Sequence, residues 1–284
     1  MKPLVKSACI VLLNWNGGRD TIECLNSLAN LQYSNYQVVV IDNGSSDDSV
    51  ARIRRASPDV EIFQTEKNLG FAGGCNVGIR YALGKNVEYV WLLNNDAAAH
   101  PEALEAMVET AESDPRIAAV GSAIYSATDP KTLLVWGGGH INFILGRSRH
   151  FVTPVRDDKI QFLTGASLLL RASALLSVGL LDDNFFMYWE DADYCFRLRR
   201  AGWRLAVAGK SIVWHKESAS VGKGSLRMDT LFNRSAARFF QKYAPVPALA
   251  VWVGGGLRVA KRAIRGEWQR ARAIWTSIRE AESP

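Results

Sequence analysis

The first hundred residues contain four short apolar runs, and each run ends in polar side chains. They are SACIVLLNW, YQVVVIDN, VEIFQTE and VEYVWLLNND. Between them lie segments with helical periodicity, such as DTIECLNSLANL, in which Ile22, Leu25 and Leu28 share one face. Continuous apolar runs are typical of strands in a parallel sheet that is covered on both sides. The alternation predicts a doubly wound α/β fold, in which ligands bind beyond the carboxyl ends of the strands.

The rest of the chain mixes helices and strands less regularly. PEALEAMVETAESDP predicts an amphipathic helix, and IAAVGSAIY predicts a strand. LVWGGGHINF and the residues up to His150 predict a glycine-interrupted hairpin. IQFLTGASLLLRASALLSVG predicts a strand and then a helix, and EDADYCFRLRRAGW predicts another helix. LAVAGKSIVWH contains two strand-like pieces, and helical periodicity resumes from Leu226.

The composition is that of an ordinary globular protein. The chain has 284 residues, of which 48% are hydrophobic and 22% charged, so it can form one large α/β domain or two small ones. Its four cysteines are far apart and form no CxxC pair, which predicts buried or semi-buried free thiols instead of a zinc site or disulfides. No signal peptide is visible, and no run reaches the ~18 apolar residues of a spanning helix. We therefore expect a soluble, cytosolic body.

Acidic residues at strand ends are the first candidate functional groups. Asp42 ends the run VVVID, and Asp96 ends the run WLLNND. A carboxylate at the end of a strand can contact a ribose or a base, or can hold a hard divalent cation that bridges to phosphates. The alternatives are a turn-forming Asp that binds its own backbone and an N-cap for the following helix. Both readings stay open for both residues.

The segment KNLGFAGGCNVGI combines four glycines with Asn68 and Asn76. It is neither the GxGxxG fingerprint nor a Walker loop, which argues against a Rossmann dehydrogenase. A glycine-rich loop that enters a helix can still give backbone N–H groups to phosphates. The alternative is a tight turn that needs small residues. Farther along, His215 follows the strand SIVW and is either structural or a metal ligand.

The segment MYWEDADYCFRLRRAGW sets three carboxylates, Glu190, Asp191 and Asp193, among aromatic rings. Partial desolvation beside aromatic rings raises the pKa of a carboxylate and makes it a stronger base. The alternative is that these acids pair with arginines one helical turn away, and Asp193 is spaced to do so with Arg197. We expect both: Asp193 as the structural partner, and Asp191 as the base that takes a proton from an acceptor hydroxyl.

Taken in order, these motifs resemble family 2 glycosyltransferases, and in particular their bacterial rhamnosyltransferase-like branch. The likeness covers roughly residues 7 to 245, and its most specific parts are WEDxDxxxR and NLGFAGGxNxG. It implies a GT-A fold, with a Rossmann-like, mixed but mainly parallel sheet flanked by helices and a C-terminal helical extension. Residues 1–100 would form the nucleotide-sugar-binding half, residues 101–225 the acceptor and catalytic half, and residues 226–284 C-terminal helices with a basic amphipathic tail.

The resemblance also implies a reaction. It is the inverting, non-processive transfer of a sugar, with dTDP-L-rhamnose as the expected donor, to a lipid-linked or saccharide acceptor in cell-surface glycan synthesis. The alternatives are a transferase for a UDP- or GDP-linked sugar and a catalytically silent sugar-nucleotide-binding partner of an assembly complex. A processive synthase would need spanning helices and a QxxRW motif, and the sequence shows neither.

Individual residues acquire roles from the same resemblance. Asp191 matches the catalytic base, and Asp96 and His215 match ligands of Mg²⁺ or Mn²⁺. The residues expected around the acceptor are Tyr188, Trp189 and Glu190. The residues expected around the nucleotide sugar are Asn14, Asp42, Asn68, Gly73, Asn76 and Asn95. The family pattern has two acids where this chain has NND, so a single carboxylate remains in this motif to hold the metal.

The net charge of +6 is concentrated near the C-terminus, where residues 257–280 hold seven basic residues and two glutamates. An apolar stripe recurs there at steps of three and four residues: Leu257, Ala260, Ile264, Trp268, Ala271, Trp275 and Ile278. The pattern predicts an interfacial helix on an anionic membrane, and so a peripheral position on the cytoplasmic face of the inner membrane. The alternatives are packing on the catalytic body or a contact in a homodimer. Nucleic acid is not expected as a partner, because no recognised nucleic-acid motif is present.

Overall fold

A mixed sheet of nine strands organises the chain in the computed structural model, which describes residues 5–216 and 225–280. The strands lie in the order β3-β2-β1-β4-β11-β6-β12-β5, and β7 pairs with β6. A smaller sheet has the order β10-β8-β9. The strands are β1 (Ala8–Asn14), β2 (Tyr36–Asp42), β3 (Glu61–Gln64), β4 (Tyr89–Asn94), β5 (Ala97–Ala99), β6 (Ile117–Ser126), β7 (Leu133–Trp136), β8 (Gly138–Asn142), β9 (Arg147–His150), β10 (Phe162–Leu163), β11 (Ser167–Arg171) and β12 (Arg204–His215).

Helices cover both faces of the large sheet and form the C-terminal part of the chain. They are α1 (Gly18–Leu28), α2 (Ser49–Ala56), α3 (Gly70–Gly84), α4 (Ala103–Glu112), α5 (Ala172–Val178), α6 (Glu190–Arg200), α7 (Leu226–Tyr243), α8 (Pro247–Ile264) and α9 (Trp268–Glu280). The buried residues form two cores, one on each face of the sheet. Coverage of both faces explains why the central strands read as continuous apolar runs.

Strand direction changes near the middle of the sheet. β1, β2, β3 and β4 are mutually parallel, whereas β11 runs antiparallel to both β4 and β6. The register sets Asn14 beside Asp42, and Leu13 beside Asn94, so the polar strand ends meet at one edge. The predicted mixed, mainly parallel sheet with flanking helices is confirmed. Strands from both sides of residue 100 belong to this one sheet, because β4 pairs with β11 and β5 pairs with β12.

Three details differ from the sequence-based expectations. β3 lies at the edge of the sheet and is largely exposed, so its apolar run is not buried on both faces. The two strand-like pieces after residue 203 form the single strand β12, which contains a register shift between Ala208 and Ile212. The predicted strand FLTGASLLL divides into β10 and β11, and the break between them contains Gly165.

The C-terminal tail does not form one continuous stripe. Gly266 adopts φ +72°, which ends α8 and turns the chain into α9. Ala271 and Ile278 are buried, and Arg262 and Arg270 both bind the buried carboxylate of Asp229. The expectation of one uninterrupted apolar stripe is therefore wrong, because the positive φ at Gly266 breaks the helical phase and part of the stripe packs on the body.

The described parts of the chain contain no helix that is both long and apolar enough to cross a bilayer. All four cysteines are free and buried, as the sequence predicts. Burial raises the pKa of the Cys9 thiol to about 12. These thiols are therefore packing groups of the sheet and helices.

Close packing of α3 on β1 gives a test of the fold. A Cβ added at Gly78 would lie closer to Val11 than real contacts permit, whereas a Cβ at Gly84 would meet nothing within 4 Å. We expect Gly78→Ala to lower the free energy of unfolding by about 1–3 kcal/mol, because it overpacks the core. Gly84→Ala should leave it unchanged or raise it by up to about 1 kcal/mol through helix propensity. Urea unfolding measures both, and equal effects of the two substitutions would contradict the packing account.

Candidate active site

A cavity of about 350 Å³ lies at the carboxyl ends of the central strands, and both halves of the chain line it. Its size is within the range of small-molecule sites. Eight of the residues predicted from the sequence are on its wall: Asn68, Asn95, Asp96, Tyr188, Trp189, Glu190, Asp191 and His215. The structure therefore brings the predicted base, the predicted metal ligands and the predicted acceptor residues into one cavity.

The backbone just before α6 is strained. Tyr188 and Trp189 have φ of +70° and +69°, although neither is glycine, and such residues cost about 1–3 kcal/mol each. The Trp189 ring packs on Phe239 and Phe240 of α7, with centroids 4.9 and 5.1 Å away. This packing holds the sharp turn from which α6 begins, so that Glu190 and Asp191 meet the cavity wall at the first turn of the helix.

Asp193 fixes α6 to α7. Its carboxylate is fully buried and accepts hydrogen bonds from Arg197 Nε at 2.9 Å, Lys242 Nζ at 2.6 Å and the Tyr243 hydroxyl at 2.7 Å. The predicted pairing of Asp193 with Arg197 is confirmed. A buried carboxylate with three donors is fully committed to structure, which leaves the chemistry to its two neighbours.

Asp191 is half-buried, and two backbone N–H groups hold its carboxylate. Gly165 N–H donates to Oδ2 at 2.9 Å, and Ala192 N–H donates to Oδ1 at 2.7 Å. Burial raises the pKa of Asp191 above its ordinary value, although these two hydrogen bonds and the charge of His150 act in the opposite direction. Each carboxylate oxygen keeps a lone pair for another partner, so this side chain can accept a proton from a ligand in the cavity.

Glu190 is buried beside Asp191. Burial, followed by the neighbouring charge of Asp191, raises the pKa of Glu190 well above its ordinary value. Its Oε2 has no hydrogen-bond partner among the residues that the structure describes. A protonated carboxyl group at this position can donate a hydrogen bond, and it lines the same cavity.

Asp96 and His215 lie side by side on the cavity wall, just after β4 and at the end of β12. His215 Nε2 lies 2.9 Å from Asp96 Oδ1 and 3.1 Å from Asn94 Nδ2. Because Asp96 Oδ1 and His215 Nε2 are adjacent on the cavity wall, a single cation could contact both atoms. A carboxylate oxygen together with an imidazole nitrogen suits Mn²⁺. The described residues contain no cluster of three or more His, Cys, Asp or Glu side chains that could bind a metal. The remaining positions around a cation would therefore be taken by oxygen atoms of the bound substrate or by water.

Asn14 and Asp42 are buried behind the cavity wall. Asp42 Oδ1 accepts hydrogen bonds from Asn14 Nδ2 at 2.7 Å and from Ser45 Oγ at 2.6 Å, and the Ser45 N–H reaches Oδ2 at 3.2 Å. This is the turn-forming role that the sequence left open for Asp42. Asn95 joins the same network through Thr21, whose hydroxyl also binds Asn14. Contact of Asn14 and Asp42 with a nucleoside stays a prediction.

Gly73 and Asn76 are also buried, on α3. The Asn76 side chain makes two hydrogen bonds to the backbone of Leu181, at 2.9 and 3.1 Å. A Cβ at Gly73 would lie 2.9 Å from Leu69 Cβ. These contacts show a packing role, and the predicted contact with the donor stays a prediction.

Among the cavity-lining residues that were not predicted from the sequence are Asn43, His150 and Gly165. Asn43 binds the backbone of Leu69 and Gly70, which sets the start of α3. Its place directly after β2 was a signal for it, and a glycine inside the apolar run FLTGASLLL was a signal for Gly165. His150 ends the strand β9 and carries no local pattern that marks a site.

Comparison with known proteins identifies the family of the chain. The family model described as Glycosyl transferase family 2 matches residues 9–179. The chain belongs to that family. The N-acetylglucosaminyl-diphospho-decaprenol L-rhamnosyltransferase of Mycobacterium tuberculosis is 27% identical to this transferase over 240 residues, which are 75% of this chain and 77% of the relative. A low-salt glycan biosynthesis hexosyltransferase, Agl10 of Haloferax volcanii, is 27% identical over 199 residues, which are 67% and 61% of the two chains.

A solved structure confirms the fold of the transferase. Mannosyltransferase PcManGT from Pyrobaculum calidifontis, in complex with GDP-Man and Mn²⁺, superposes with a TM-score of 0.62 at 16% identity and covers 99% of this chain and 77% of that chain. The mixed sheet with flanking helices is therefore a GT-A fold, as the resemblance implied. The family and the relatives together identify a glycosyltransferase of glycan synthesis.

Proposed function

We propose that this glycosyltransferase moves L-rhamnose from dTDP-L-rhamnose to a saccharide acceptor carried on a lipid diphosphate, with inversion and without processivity. The observation that carries the proposal is the half-buried Asp191 carboxylate, which two N–H groups orient on the wall that also holds Asp96 and His215. The donor and the acceptor are supported by the name of the mycobacterial relative.

Asp191 is the base of the proposed reaction. It takes the proton of an acceptor hydroxyl, and the acceptor oxygen forms a bond to the anomeric carbon. The bond from that carbon to the donor diphosphate breaks on the opposite face, and its electron pair leaves with the nucleoside diphosphate. The transition state has oxocarbenium-like character. General base catalysis of this kind contributes about 10²–10⁴-fold to the rate.

Residues around Asp191 position the acceptor. The Tyr188 ring packs edge-on against Phe232, with centroids 5.7 Å apart, and both line the cavity. Aromatic faces of this kind bind the apolar faces of sugars. Glu190 is placed to donate a hydrogen bond to a sugar hydroxyl, because burial raises the pKa of its carboxyl group and so favours the protonated form. Trp189 sets the backbone from which both side chains project.

The nucleotide-sugar donor binds to the wall of the cavity that includes Asn68 and Asn95, away from the residues that position the acceptor. Asp96 and His215 are the residues that would hold Mg²⁺ or Mn²⁺. A divalent cation, when bound, neutralises charge on the departing diphosphate. PcManGT was solved with Mn²⁺, which supports a cation here.

We propose that the C-terminal helices α8 and α9 bind to the surface of an anionic membrane. α8 exposes Leu257, Lys261 and Ile264 at steps of four and three residues, and α9 exposes Trp268, Arg272 and Trp275 at the same steps. Alternating apolar and basic side chains on exposed helical faces are typical of interfacial binding. Such binding would hold the transferase at the surface where a lipid-linked acceptor is found, on the cytoplasmic face.

The donor assignment predicts a selective thermal shift. With dTDP-L-rhamnose and Mn²⁺ at about a hundredfold excess over Kd, we expect the melting temperature to rise by roughly 5 °C. UDP-galactose, UDP-N-acetylglucosamine and GDP-mannose should give smaller shifts, and EDTA or Asp96→Asn should remove the metal-dependent part. A larger shift with a UDP- or GDP-linked sugar would reassign the donor. No shift with any of these donors would contradict the proposed donor, and a shift without sugar transfer would favour the catalytically silent partner.

Membrane binding is tested by flotation with vesicles of phosphatidylcholine, with and without phosphatidylglycerol. We expect the full chain to float with the anionic vesicles, and the Ile264→Ser/Trp268→Ser double variant to float several-fold less, because these side chains are 86% and 69% exposed and lose apolar area for insertion. Leu176→Ser is the matched control, since Leu176 is 74% exposed on α5. Equal flotation of all three proteins would contradict the proposed anchor.

A further inference from the structure

A second groove, of about 490 Å³, lies beside α7. Three arginines line it, together with neutral residues only: Asn184, Phe186, Arg227, Leu231, Arg234, Ser235 and Arg238. The arginines are separated by seven and four residues, so they share one face of α7 over about 16 Å at 1.5 Å per residue. The groove is therefore a line of positive charge with no acid on its own wall.

The three guanidinium groups have no carboxylate partner among the residues that the structure describes. Within residues 5–216 and 225–280, no carboxylate pairs with Arg227, Arg234 or Arg238. By contrast, Arg262 and Arg270 on the neighbouring helices bind the buried carboxylate of Asp229. Three unpaired guanidinium groups in one groove are available for an anionic ligand.

The groove adjoins the catalytic cavity. Phe186 lines the groove, and the next residue, Met187, lines the cavity. Arg227 lies over the ring of Trp15, a cavity residue, with its guanidinium carbon 4.8 Å from the centroid. Ser235 of the groove donates a hydrogen bond to the carbonyl of Met187 at 2.8 Å. One ligand could therefore occupy both places at once.

We propose that the groove binds the diphosphate group of the lipid-linked acceptor while the acceptor sugar occupies the catalytic cavity. The inference rests on the proposed function for the nature of the acceptor. Guanidinium groups bind phosphate oxygens in a bidentate way, and three of them suffice to neutralise a diphosphate that is esterified at both ends. Phe186 and Leu231 add apolar surface on which the first part of an isoprenoid chain can lie.

The diphosphate of the donor is the rival occupant, and the lining residues argue against it. A donor diphosphate has to reach Asp96 and His215, which lie on the cavity wall. Arg234 and Arg238 line only the groove. Donor and acceptor diphosphates thus have separate basic or metal-binding groups, which lets both substrates be bound together.

Isothermal titration with geranyl diphosphate, a soluble isoprenoid diphosphate, tests the site directly, with geranyl monophosphate and geraniol as comparison ligands and Mg²⁺ present throughout. We expect the wild-type chain to bind the diphosphate most tightly and geraniol weakest. Arg234→Gln/Arg238→Gln should weaken diphosphate binding about tenfold or more, because charge-assisted hydrogen bonds are lost. Arg54→Gln/Arg55→Gln, which removes two exposed arginines of α2, should change it less than twofold. Arg227 is left intact because it touches Trp15.

A competition arm distinguishes acceptor from donor. Saturating dTDP-L-rhamnose should leave geranyl diphosphate binding in place if the groove belongs to the acceptor. Displacement by the donor, absence of binding, or equal binding by the arginine double variant would overturn the proposal. The titrations of the arginine variants need neither turnover nor a donor, so they test the groove even if the transferred sugar is different, and the competition arm then uses the nucleotide sugar that gives the largest thermal shift. Where transfer is measured, the double variant should raise the acceptor KM about tenfold and leave the donor KM unchanged.

Discussion

The buried carboxylate of Asp193 is the contact on which the candidate active site depends. It binds Arg197 within α6, and Lys242 and Tyr243 at the end of α7. Removing both cationic partners would leave an uncompensated charge in the core, and breaking a buried ion pair costs about 3–5 kcal/mol. Because α6 is held in this way, the strained residues Tyr188 and Trp189 keep their positive φ. Helix α7 is therefore part of the candidate site.

A second constraint comes from the sheet. The antiparallel pairing of β5 with β12 sets His215 opposite Ala97 and so beside Asp96. The break between β10 and β11 places the Gly165 N–H against the carboxylate of Asp191. The cavity thus has a wall suited to charge neutralisation and a wall suited to proton transfer. Each wall is fixed by secondary structure.

The sequence predicted the sheet and much of the site because both have local signals. Apolar runs predicted the strands, and carboxylates next to aromatic rings predicted the region of Asp191. It could not show that Asp42 is tied to Asn14 and Ser45, because a contact between strand ends depends on register. The tail was misread for a different reason, since one residue with positive φ, Gly266, separates two helices whose periodicities look continuous. His150 reaches the cavity from a hairpin that carries no motif.

The central claim is that Asp191 is the base, and the pH dependence of kcat/KM tests it most directly. An essential base must be ionised, so kcat/KM should fall tenfold per pH unit below the pKa of Asp191, and burial sets that inflection above the ordinary value of about 3.9. Glu190→Gln removes the neighbouring titratable group and should keep the inflection of kcat/KM. Asp191→Asn should lower kcat/KM about 10²–10⁴-fold and abolish the inflection. An inflection at or below pH 4, or one that survives in Asp191→Asn, would contradict the account.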